Sequence, residues 1–383
     1  MTSSLTEPLG GAEAYCVRLA IRQAAEYSVA VRTPMIDRAT HDRLLNAGVR
    51  VEVVPVRRPY PADGHGPNAL AKVLFHVLDT LGAIVSPRGY RSADFGGEDV
   101  IHVHRFQGIG SSILAQAAGR VVVHTVHDFA LVDTRGTATR AGLLVTRLPF
   151  HQRARARLNL RAARHATRLL FPSARTLQRH RDLGLRDEAN VEILALGWEV
   201  DDSDGTDWGR RPYVAFLGKL TGEKGLERLL SAWGSGIDGY DLLIAGEGPL
   251  SDVASKRGRD GVRLLGWVNG GEKTALIASA TAVVVPSLWP ENFPLVVAES
   301  MILGVPVVTN LLAAGPLPVD GFSAVVASDT GVEALRDALK VVLLEPDVRD
   351  RLAEGARSIG RTLTMDAHLR QLDAIYSASQ GRA

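Results

Sequence analysis

The stretch Pro290-Glu-Asn-Phe-Pro-Leu-Val-Val-Ala-Glu299 combines a turn, a helix start and two acids eight positions apart. Pro294 suits the first turn of a helix, and the residues from Leu295 onward follow a helical pattern. Glu291 is then expected in the loop before the helix, and Glu299 on its second turn. Backbone N–H groups at a helix start form an anion site that suits a diphosphate, and the later glutamate could accept hydrogen bonds from ribose hydroxyls. A buried helix with two incidental acids is the alternative interpretation.

Two lysines bracket a second turn, in Phe216-Leu-Gly-Lys-Leu-Thr-Gly-Glu-Lys-Gly225. An apolar strand ends at Gly218, and Lys219 and Lys224 flank the passage into the next helix. Cations beside a helix start stabilise the charge of a phosphate leaving group, so the pattern indicates a further contact to a diphosphate. A surface loop with solvated lysines would have the same pattern.

Glycine turns follow two more strands, in Ile244-Ala-Gly-Glu-Gly-Pro249 and Leu265-Gly-Trp-Val-Asn269. Turns at the carboxyl ends of parallel strands lie where a doubly wound sheet binds its ligand. The pair Gly246 and Gly248 lacks the third glycine of a dinucleotide fingerprint, so a nicotinamide-dependent dehydrogenase is disfavoured.

Short runs of Val, Ile and Leu alternate with longer stretches rich in Ala, Leu and Arg. Near-continuous apolar strands separated by helices indicate parallel sheets covered on both faces, and here the strands form two sets. We therefore predict an α/β protein with two doubly wound domains, over residues 1–196 and 197–363. The acidic segment from Gly197 to Arg211 is expected to be a solvated linker rather than a metal site. The predicted strands are Val29–Val31, Val51–Val54, Val100–Val103, Val121–Thr125 and Leu169–Phe171, then Tyr213–Leu217, Asp241–Ala245, Val262–Leu265, Ala282–Val285 and Val305–Thr309.

The start of the chain departs from this pattern. A doubly wound domain normally opens with an apolar strand that leads into the first glycine loop. Here Gly10-Gly11-Ala12-Glu13 follows only nine residues, and none of them forms a strand core. Either the first strand is absent, or the true start lies upstream.

The composition is that of a globular protein with a buried core: 46% of the 383 residues are hydrophobic and 22% are charged. The single cysteine, Cys16, fits a reducing compartment, and the N-terminus lacks the pattern of a signal peptide. We therefore expect a cytoplasmic protein. The net charge of +2 conceals an asymmetry, because residues 1–196 hold 26 Lys and Arg against 17 Asp and Glu. This difference indicates different partners for the two halves, although chance variation between domains would also produce it.

A histidine ends the strand Val121-Val-Val-His-Thr-Val-His-Asp128, where the sequence turns polar. In open α/β sheets, ligand-binding sites form at the carboxyl ends of such strands. A single histidine there is more often structural, so the residues alone leave the role of His127 open. His102, His104 and His124 are expected to pack within strands or loops.

In order and spacing these segments resemble glycosyltransferase family 4, which are retaining enzymes of the GT-B fold. The resemblance covers almost the whole chain, and the Glu-x7-Glu element with Phe293-Pro294 is its most specific part. It implies two Rossmann-like domains facing across a cleft, the first receiving the acceptor and the second binding a nucleoside diphosphate sugar. A C-terminal helix over residues 364–383 would pack back on the first domain. The other matching segments are Gly10–Glu13, His124–Asp128, Gly218–Leu220, Lys224-Gly225, the Gly246 turn and Gly304–Pro306.

The resemblance also implies roles for individual residues. Glu299 would hold the donor ribose and Glu291 the donor sugar, while His127 would lie at the face of the transferred sugar. Lys219 and Lys224 would offset the charge of the leaving diphosphate. The other expected donor contacts are Trp267 and Val268 at the base, Gly10, Gly11, Gly218 and Gly246 at the phosphates, and Asn292, Phe293, Pro294, Leu295 and Val296 along the diphosphate.

Three positions depart from the family pattern. Lys219 stands where many members have arginine, Leu196-Gly197 replaces Asn-Gly, and the turn Ala313–Pro318 lacks the usual glutamate. These changes argue for an unusual donor or acceptor, or for reduced activity. The missing strand and the lost glutamate favour the alternative of a nucleotide-sugar-binding pseudoenzyme or partner subunit. A GT-B enzyme that hydrolyses or epimerises a nucleotide sugar is a further alternative.

The expected reaction is transfer of a sugar to an acceptor hydroxyl with retention of configuration. The sequence has no convincing metal motif, so we expect neither a metal ion nor a cofactor besides the donor. The acceptor could be a sugar, a lipid-linked glycan or a small molecule. Seven arginines and no acid between Arg147 and Arg168, beside apolar residues at 142–146 and 148–150, predict possible contact with an anionic membrane surface on the cytoplasmic side. A solvated arginine-rich helix is the alternative, and nucleic acid is a poorer partner because no aromatic residues interleave with the arginines.

Overall fold

The computed structural model describes residues 1–2, 4–7, 9–59, 68–85, 87–91, 94–116, 120–134, 136–140, 143–186, 190–209, 211–237 and 239–380. They form two compact units. Unit 1 comprises Met1–Ala138, Val145–Leu196 and His368–Ala383, and unit 2 comprises Thr139–Leu144 and Gly197–Ala367. The C-terminal helix is therefore shared, and it belongs to unit 1 from His368 onward rather than from residue 364.

Unit 1 is built on parallel strands that pair as β1–β2 and as β3–β4–β7–β8. Its strands are β1 (Ala30–Thr33), β2 (Arg50–Val53), β3 (Val100–Val103), β4 (Val121–Thr125), β7 (Arg168–Phe171) and β8 (Val191–Ile193), and between β4 and β7 the chain forms a short antiparallel hairpin of β5 (Thr139–Arg140) and β6 (Leu143–Leu144). The helices of this part of the chain are α1 (Gly11–Gln23), α2 (Arg38–Asn46), α3 (Ala69–Leu81), α4 (Ile113–Gln116), α5 (Phe150–Ala163) and α6 (Ala174–Asp182).

The N-terminal residues lie between β1 and β3. The ammonium group of Met1 donates to the carbonyl of His102 at 2.6 Å, and the amide of Thr2 donates to the carbonyl of Arg32 at 3.3 Å. Leu5 is completely buried. No regular strand precedes α1 within the described residues, as the sequence predicts, but this segment takes part of the position of a central strand. A cavity of about 590 Å³ between the same two strands is also lined by α1 and the C-terminal helix.

Unit 2 contains a six-stranded parallel sheet in the order β11–β10–β9–β12–β13–β14. Numbered within the unit, this is the 3-2-1-4-5-6 order of a doubly wound sheet, which reverses between its first and fourth strands. The strands are β9 (Tyr213–Leu217), β10 (Asp241–Ala245), β11 (Val262–Gly266), β12 (Ala282–Val285), β13 (Val307–Asn310) and β14 (Ala324–Ala327). The helices are α7 (Leu226–Trp233), α8 (Ser251–Ser255), α9 (Gly270–Ala278), α10 (Leu295–Ile302), α11 (Val332–Leu344) and α12 (Pro346–Gly360), followed by the shared helix α13 (Met365–Gln380).

Burial explains why these segments fold as they do. The strands of unit 2 are apolar on both sides, and two separate hydrophobic clusters contain their alternate residues. Each face of the sheet therefore has its own core, as the continuous apolar strands predict. Within the described residues, no helix is both long enough and apolar enough to cross a bilayer.

All ten predicted strands are present, with ends within about two residues of the predicted ones. The sequence missed four short strands. β5 and β6 have two residues each, β8 is largely exposed, and β14 follows directly on a turn. Between Gly197 and Gly209 the chain forms no helix or strand, as predicted for a linker, but the expectation that it is solvated is wrong for Trp198, which is 3% exposed.

Candidate functional site

The carboxyl ends of β9 and β10 meet through two glycines of unit 2. Gly218 has φ +155° and Gly246 has φ +135°, a region that side chains rarely adopt. The amide of Gly218 donates to the carbonyl of Ala245 at 3.0 Å, and a Cβ atom on Gly246 would overlap the carbonyl oxygen of Gly218. The two turns can approach each other this closely only because both residues are glycines.

Lys224 and Glu291 form an ion pair at the neighbouring strand end, with Nζ and Oε1 2.6 Å apart. The same oxygen accepts hydrogen bonds from Ser287 Oγ at 2.9 Å and from Trp289 Nε1 at 2.7 Å. The side chain of Glu291 is 10% exposed, and that of Lys224 remains about one-third exposed. The lysine also lies 5.0 Å from the centre of the Trp289 ring, within cation–π range. The ammonium group of Lys224 is therefore held at the surface, with one side open to solvent.

A short turn fixes the position of Lys224. The 3-10 turn Gly222–Lys224 ends at Gly225, which has φ +75°. A Cβ atom at Gly225 would overlap the carbonyl of Pro286, and the amide of Leu288 donates to the carbonyl of Glu223 at 2.8 Å. The loop after β12 and the turn after β9 are therefore joined, and this brings Lys224 to Glu291 across 67 residues of sequence.

Glu299 is the most deeply buried acid of the site, with a side chain that is 6% exposed. Its Oε1 accepts hydrogen bonds from Trp198 Nε1 at 2.9 Å and from Lys273 Nζ at 2.6 Å. Its Oε2 is buried and has no hydrogen-bond partner within the described residues. A buried acceptor without a partner costs roughly 1–3 kcal/mol, so native structures rarely leave one without a reason.

The first turn of α10 provides backbone donors close to these acids. Pro294 is the N-cap and provides no side-chain cap, and the amides of Val297 and Ala298 both point back to its carbonyl. The amides of Leu295 and Val296 precede the first intrahelical hydrogen bond, as at any helix start. The helix dipole adds partial positive charge at this end, so the helix start favours an anion.

The remaining residues of the predicted donor site lie along the same edge of unit 2. Lys219 is exposed and follows Gly218 directly. Trp267 is about half exposed after β11, and Val268 contacts the adjacent hydrophobic cluster. Phe293 and Val296 contact that cluster as well, while Asn292 is half-buried in the loop.

Four residues of this site were not predicted from the sequence. Lys273 and Trp198 bind Glu299 from 26 and 101 positions away, and Ser287 and Trp289 bind Glu291. The only local signal is the proximity of Ser287 and Trp289 to the Glu-x7-Glu element. Nothing in the sequence around Lys273 or Trp198 indicates their partner.

His127 lies in unit 1, just past the end of β4. Its Nε2 is 3.2 Å from Nδ1 of His104, and its ring stacks edge-on with that of Tyr15. Burial, with the charges of nearby His124 and Arg105, lowers the pKa of His127 to about 3. The ring is therefore neutral at physiological pH and can form hydrogen bonds without carrying charge.

The predicted glycine loop of unit 1 begins α1. Gly10 is the N-cap of this 13-residue helix and Gly11 its first residue, and both are exposed. In the first turn of the same helix, Glu13 is buried in an ion pair with Arg105. Gln107 continues this cluster by donating to Asp128 Oδ2 at 2.8 Å. The helix start is thus connected to the strand ends that carry His104 and His127.

Three more histidines of unit 1, two buried and one half-buried, have fixed partners. His368 lies 2.8 Å from the carbonyl of Ala195 through Nδ1, so this nitrogen donates and Nε2 accepts from Tyr15 Oη at 2.6 Å. His124 donates to the carbonyl of Val103 in the same way, and His102 lies between Tyr376 and Thr125. As predicted, His102, His104 and His124 pack within strands and loops. Burial lowers the pKa values of these histidines, to about 4 for His124 and His368.

Comparison with known proteins agrees with this architecture. The model of the family "Glycosyl transferase 4-like domain" matches residues 10–197, and that of "Glycosyl transferases group 1" matches residues 202–359. The chain is 29% identical over 177 residues to the alpha-D-kanosaminyltransferase of Streptomyces kanamyceticus, covering 43% of this chain and 45% of that protein. It is 28% identical to a D-inositol 3-phosphate glycosyltransferase of Actinosynnema mirum, over 99% of this chain and 95% of that protein.

Solved structures have the same fold. The structure of Anabaena Alr3699/HepE in complex with UDP has a TM-score of 0.70 at 16% identity, over 99% of this chain and 100% of that one.

The matches to the kanosaminyltransferase and two other curated relatives span only 26–45% of the lengths of those proteins.

Two doubly wound units with parallel sheets place the chain in the GT-B class of α/β proteins. Within that class, the chain belongs to the family 4 type of glycosyltransferases, because family models cover both of its halves.

Proposed function

We propose that this chain transfers a glycosyl group from a nucleoside diphosphate sugar to an acceptor hydroxyl, with retention of configuration. The observation that carries this proposal is the Oε2 atom of Glu299, a buried acceptor without a partner in the described structure. A ribose hydroxyl would provide the missing hydrogen bond. The UDP bound to the structurally similar HepE supports a nucleoside diphosphate as the donor.

The diphosphate would lie at the start of α10, against the amides of Leu295 and Val296. Lys219 and Lys224 would then offset its charge as the bond to the sugar breaks. Lys224 is already held 2.6 Å from Glu291, so it needs little reorganisation to serve a phosphate. Gly218 and Gly246 would let the phosphates approach the backbone closely.

The contacts proposed for the donor sugar are those that the family resemblance implies. Glu291 would accept hydrogen bonds from its hydroxyls, and the neutral ring of His127 would contact another hydroxyl. Retention would follow if the acceptor attacks the face that the diphosphate leaves, with a leaving phosphate oxygen taking the proton of the acceptor hydroxyl. No side chain is then required as a general base.

We also propose that the reaction needs neither a metal ion nor a cofactor besides the donor. In the described part of the chain no group of three or more His, Cys, Asp and Glu is placed to hold a metal. The helix start and the lysines would provide the positive charge that a divalent ion provides in other transferases.

The acceptor is proposed to bind unit 1, and the protein to act in the cytoplasm. A sugar, a small molecule or a lipid-linked glycan would each present the required hydroxyl. The basic character of residues 1–196 favours an anionic acceptor or an anionic membrane surface near Arg147–Arg168.

Calorimetric titration with UDP and a panel of nucleotide sugars tests the donor site. Glu299→Gln should weaken binding about 10-fold and Glu299→Ala about 100-fold, because hydrogen bonds to a charged acceptor contribute roughly 1.5–3 kcal/mol each. Glu272→Ala, which removes an exposed acid beside Lys273, is the matched control and should bind as the parent does. Equal affinity of all variants would disprove the ribose assignment.

Product analysis tests the reaction itself. The anomeric configuration of the product should match that of the donor, and turnover should survive a chelator. Release of free sugar without any acceptor would instead identify a hydrolase or epimerase. Activity lost in chelator and restored by a divalent ion would contradict metal independence.

A further inference from the structure

Helix α3 of unit 1 carries an apolar stripe that nothing in the described structure covers. Leu70, Val73, Leu74, Val77 and Leu81 are 47–77% exposed, and their spacing places them on one face of the helix. Ile84 and Val85 extend the stripe into the following turn and are equally exposed.

Such clustering is unusual for a protein surface. Among the described residues, seven of nineteen exposed large hydrophobic side chains fall between Leu70 and Val85. Scattered exposed hydrophobic residues are normal, but a contiguous patch marks a contact with a membrane or another molecule.

The opposite face fixes the orientation of the helix. Asp79 is buried, pairs with Arg155 of α5 at 2.5 Å and accepts a hydrogen bond from the amide of Gly108 at 3.0 Å. At the end of the helix, Ser112 Oγ donates to the carbonyl of Gly82 at 2.5 Å. Because these polar contacts are buried, α3 cannot rotate to hide its stripe without breaking an ion pair.

The neighbouring helix α5 carries positive charge, which complements an anionic surface. Arg153, Arg157, Arg161 and Arg164 are exposed on or just after α5, and no acid occurs between Arg147 and Arg168. Phe150, at the start of α5, is 76% exposed. Of the apolar residues predicted to contact a membrane here, Val145 and Leu148 are buried, whereas Leu144 and Phe150 are exposed. Arg155 is also buried, in the ion pair with Asp79.

We propose that the stripe of α3, together with the exposed arginines of α5, binds the surface of an anionic lipid bilayer. This inference locates the membrane contact of the proposed function on residues that the arginine-rich segment alone does not include. A helix of 13 residues is too short to span a bilayer but suits an interfacial position, with its apolar face among the acyl chains. The arginines of α5 would attract this side of unit 1 to the phosphates of the lipids.

Sedimentation with vesicles tests this proposal. The protein should bind vesicles of phosphatidylglycerol and phosphatidylcholine, and binding should weaken with salt. The double variant Val73→Gln, Val77→Gln should reduce the partition coefficient about 10-fold or more, since each valine buries apolar area. Glutamine is a good helix former, so α3 should persist. Val253→Gln, an exposed valine on α8, is the matched control and should bind as the parent does.

The contribution of the arginines to vesicle binding is measured separately. Arg153→Gln with Arg157→Gln should reduce the salt dependence while leaving a weak residual affinity for the same vesicles. Donor binding, followed by calorimetry, should be unchanged in all these variants, so a failure here is distinct from a failure of the donor site. Equal vesicle binding by the parent and the Val73→Gln, Val77→Gln variant would overturn the proposal. A dimer of the parent that this variant abolishes, without vesicle binding, would also overturn it and assign the stripe to a second copy.

Discussion

The two units differ sharply in the side chains that build their polar sites. All eleven histidines of the chain lie in unit 1, and none occurs in residues 197–367. All five tryptophans lie in unit 2, at positions 198, 208, 233, 267 and 289. Unit 1 therefore combines buried neutral rings with ion pairs such as Glu13–Arg105, whereas unit 2 has no histidine and relies on the ion pairs Lys224–Glu291 and Lys273–Glu299.

The two units therefore hold polar groups at their strand ends in different ways. The ion pairs of unit 2 keep charge beside a partly open surface, where a charged ligand can share it. Burial lowers the pKa values of His127 and His368 in unit 1 and holds them neutral, so they contribute hydrogen bonds without charge. The first arrangement suits a phosphate, and the second suits sugar hydroxyls or simple structural support.

The largest expected effect is an acid sensitivity that is greater in unit 1 than in unit 2. The pKa values of His124, His180 and His368 fall to about 4 and that of His127 to about 3, while unfolded histidine titrates near 6.5. Below about pH 6.5 the unfolded state binds more protons, so each histidine should cost roughly 1 kcal/mol of stability per pH unit. Together they should remove several kcal/mol between about pH 6.5 and pH 4.5.

The tryptophans make this loss measurable unit by unit. Urea unfolding followed by far-ultraviolet circular dichroism should show a midpoint that falls steeply with pH. Tryptophan fluorescence, which reports only on unit 2, should show a smaller fall. A midpoint by circular dichroism that stays constant over this range would contradict the assignment of neutral buried histidines.

A smaller effect is expected from breaking the glycine contact of unit 2. Gly246→Ala would place a Cβ atom onto the carbonyl of Gly218 at a φ of +135°, so the unfolding free energy should fall by about 3–5 kcal/mol in the fluorescence transition. Gly239→Ala is the control, because φ is +85° there but the added atom meets nothing within 4 Å. It should cost only about 1 kcal/mol. Equal effects of the two variants would show that the close approach is not required.

The smallest effect is expected at a single hydrogen bond of unit 1. Tyr15→Phe removes the donor to His368 Nε2 at 2.6 Å and leaves a buried acceptor without a partner. We expect a loss of about 1–2 kcal/mol by circular dichroism at neutral pH. Tyr27→Phe, which alters an exposed tyrosine of the same unit, should have little effect. A neutral outcome for Tyr15→Phe would indicate that water readily replaces the hydroxyl.

The sequence predicted the sheets better than the contacts between loops. Apolar strands such as Ala282–Val285 are visible because a parallel strand is buried on both sides. The pairing of Lys273 with Glu299 depends on how β11 and β12 lie in the sheet, and strand order cannot be read from local pattern. Short strands such as β8 have too few buried residues to leave a periodic signal.

The same limit applies to the surface of unit 1. Ala69–Leu81 contains mostly apolar residues, so in sequence it is hard to distinguish from a buried helix. The structure shows which face turns inward, through the pairing of Asp79 with Arg155. For the same reason, the prediction from the sequence wrongly included Arg155 among the arginines that could contact a membrane.

The unpartnered oxygen of Glu299 has a consequence for the lifetime of the protein. If the donor completes its hydrogen bonds, the folded state gains stability with the logarithm of donor concentration. Proteases that cleave transiently opened chains would then find fewer of them when the donor is plentiful. The supply of activated sugar would thus regulate how much of this protein persists, as well as how fast it works.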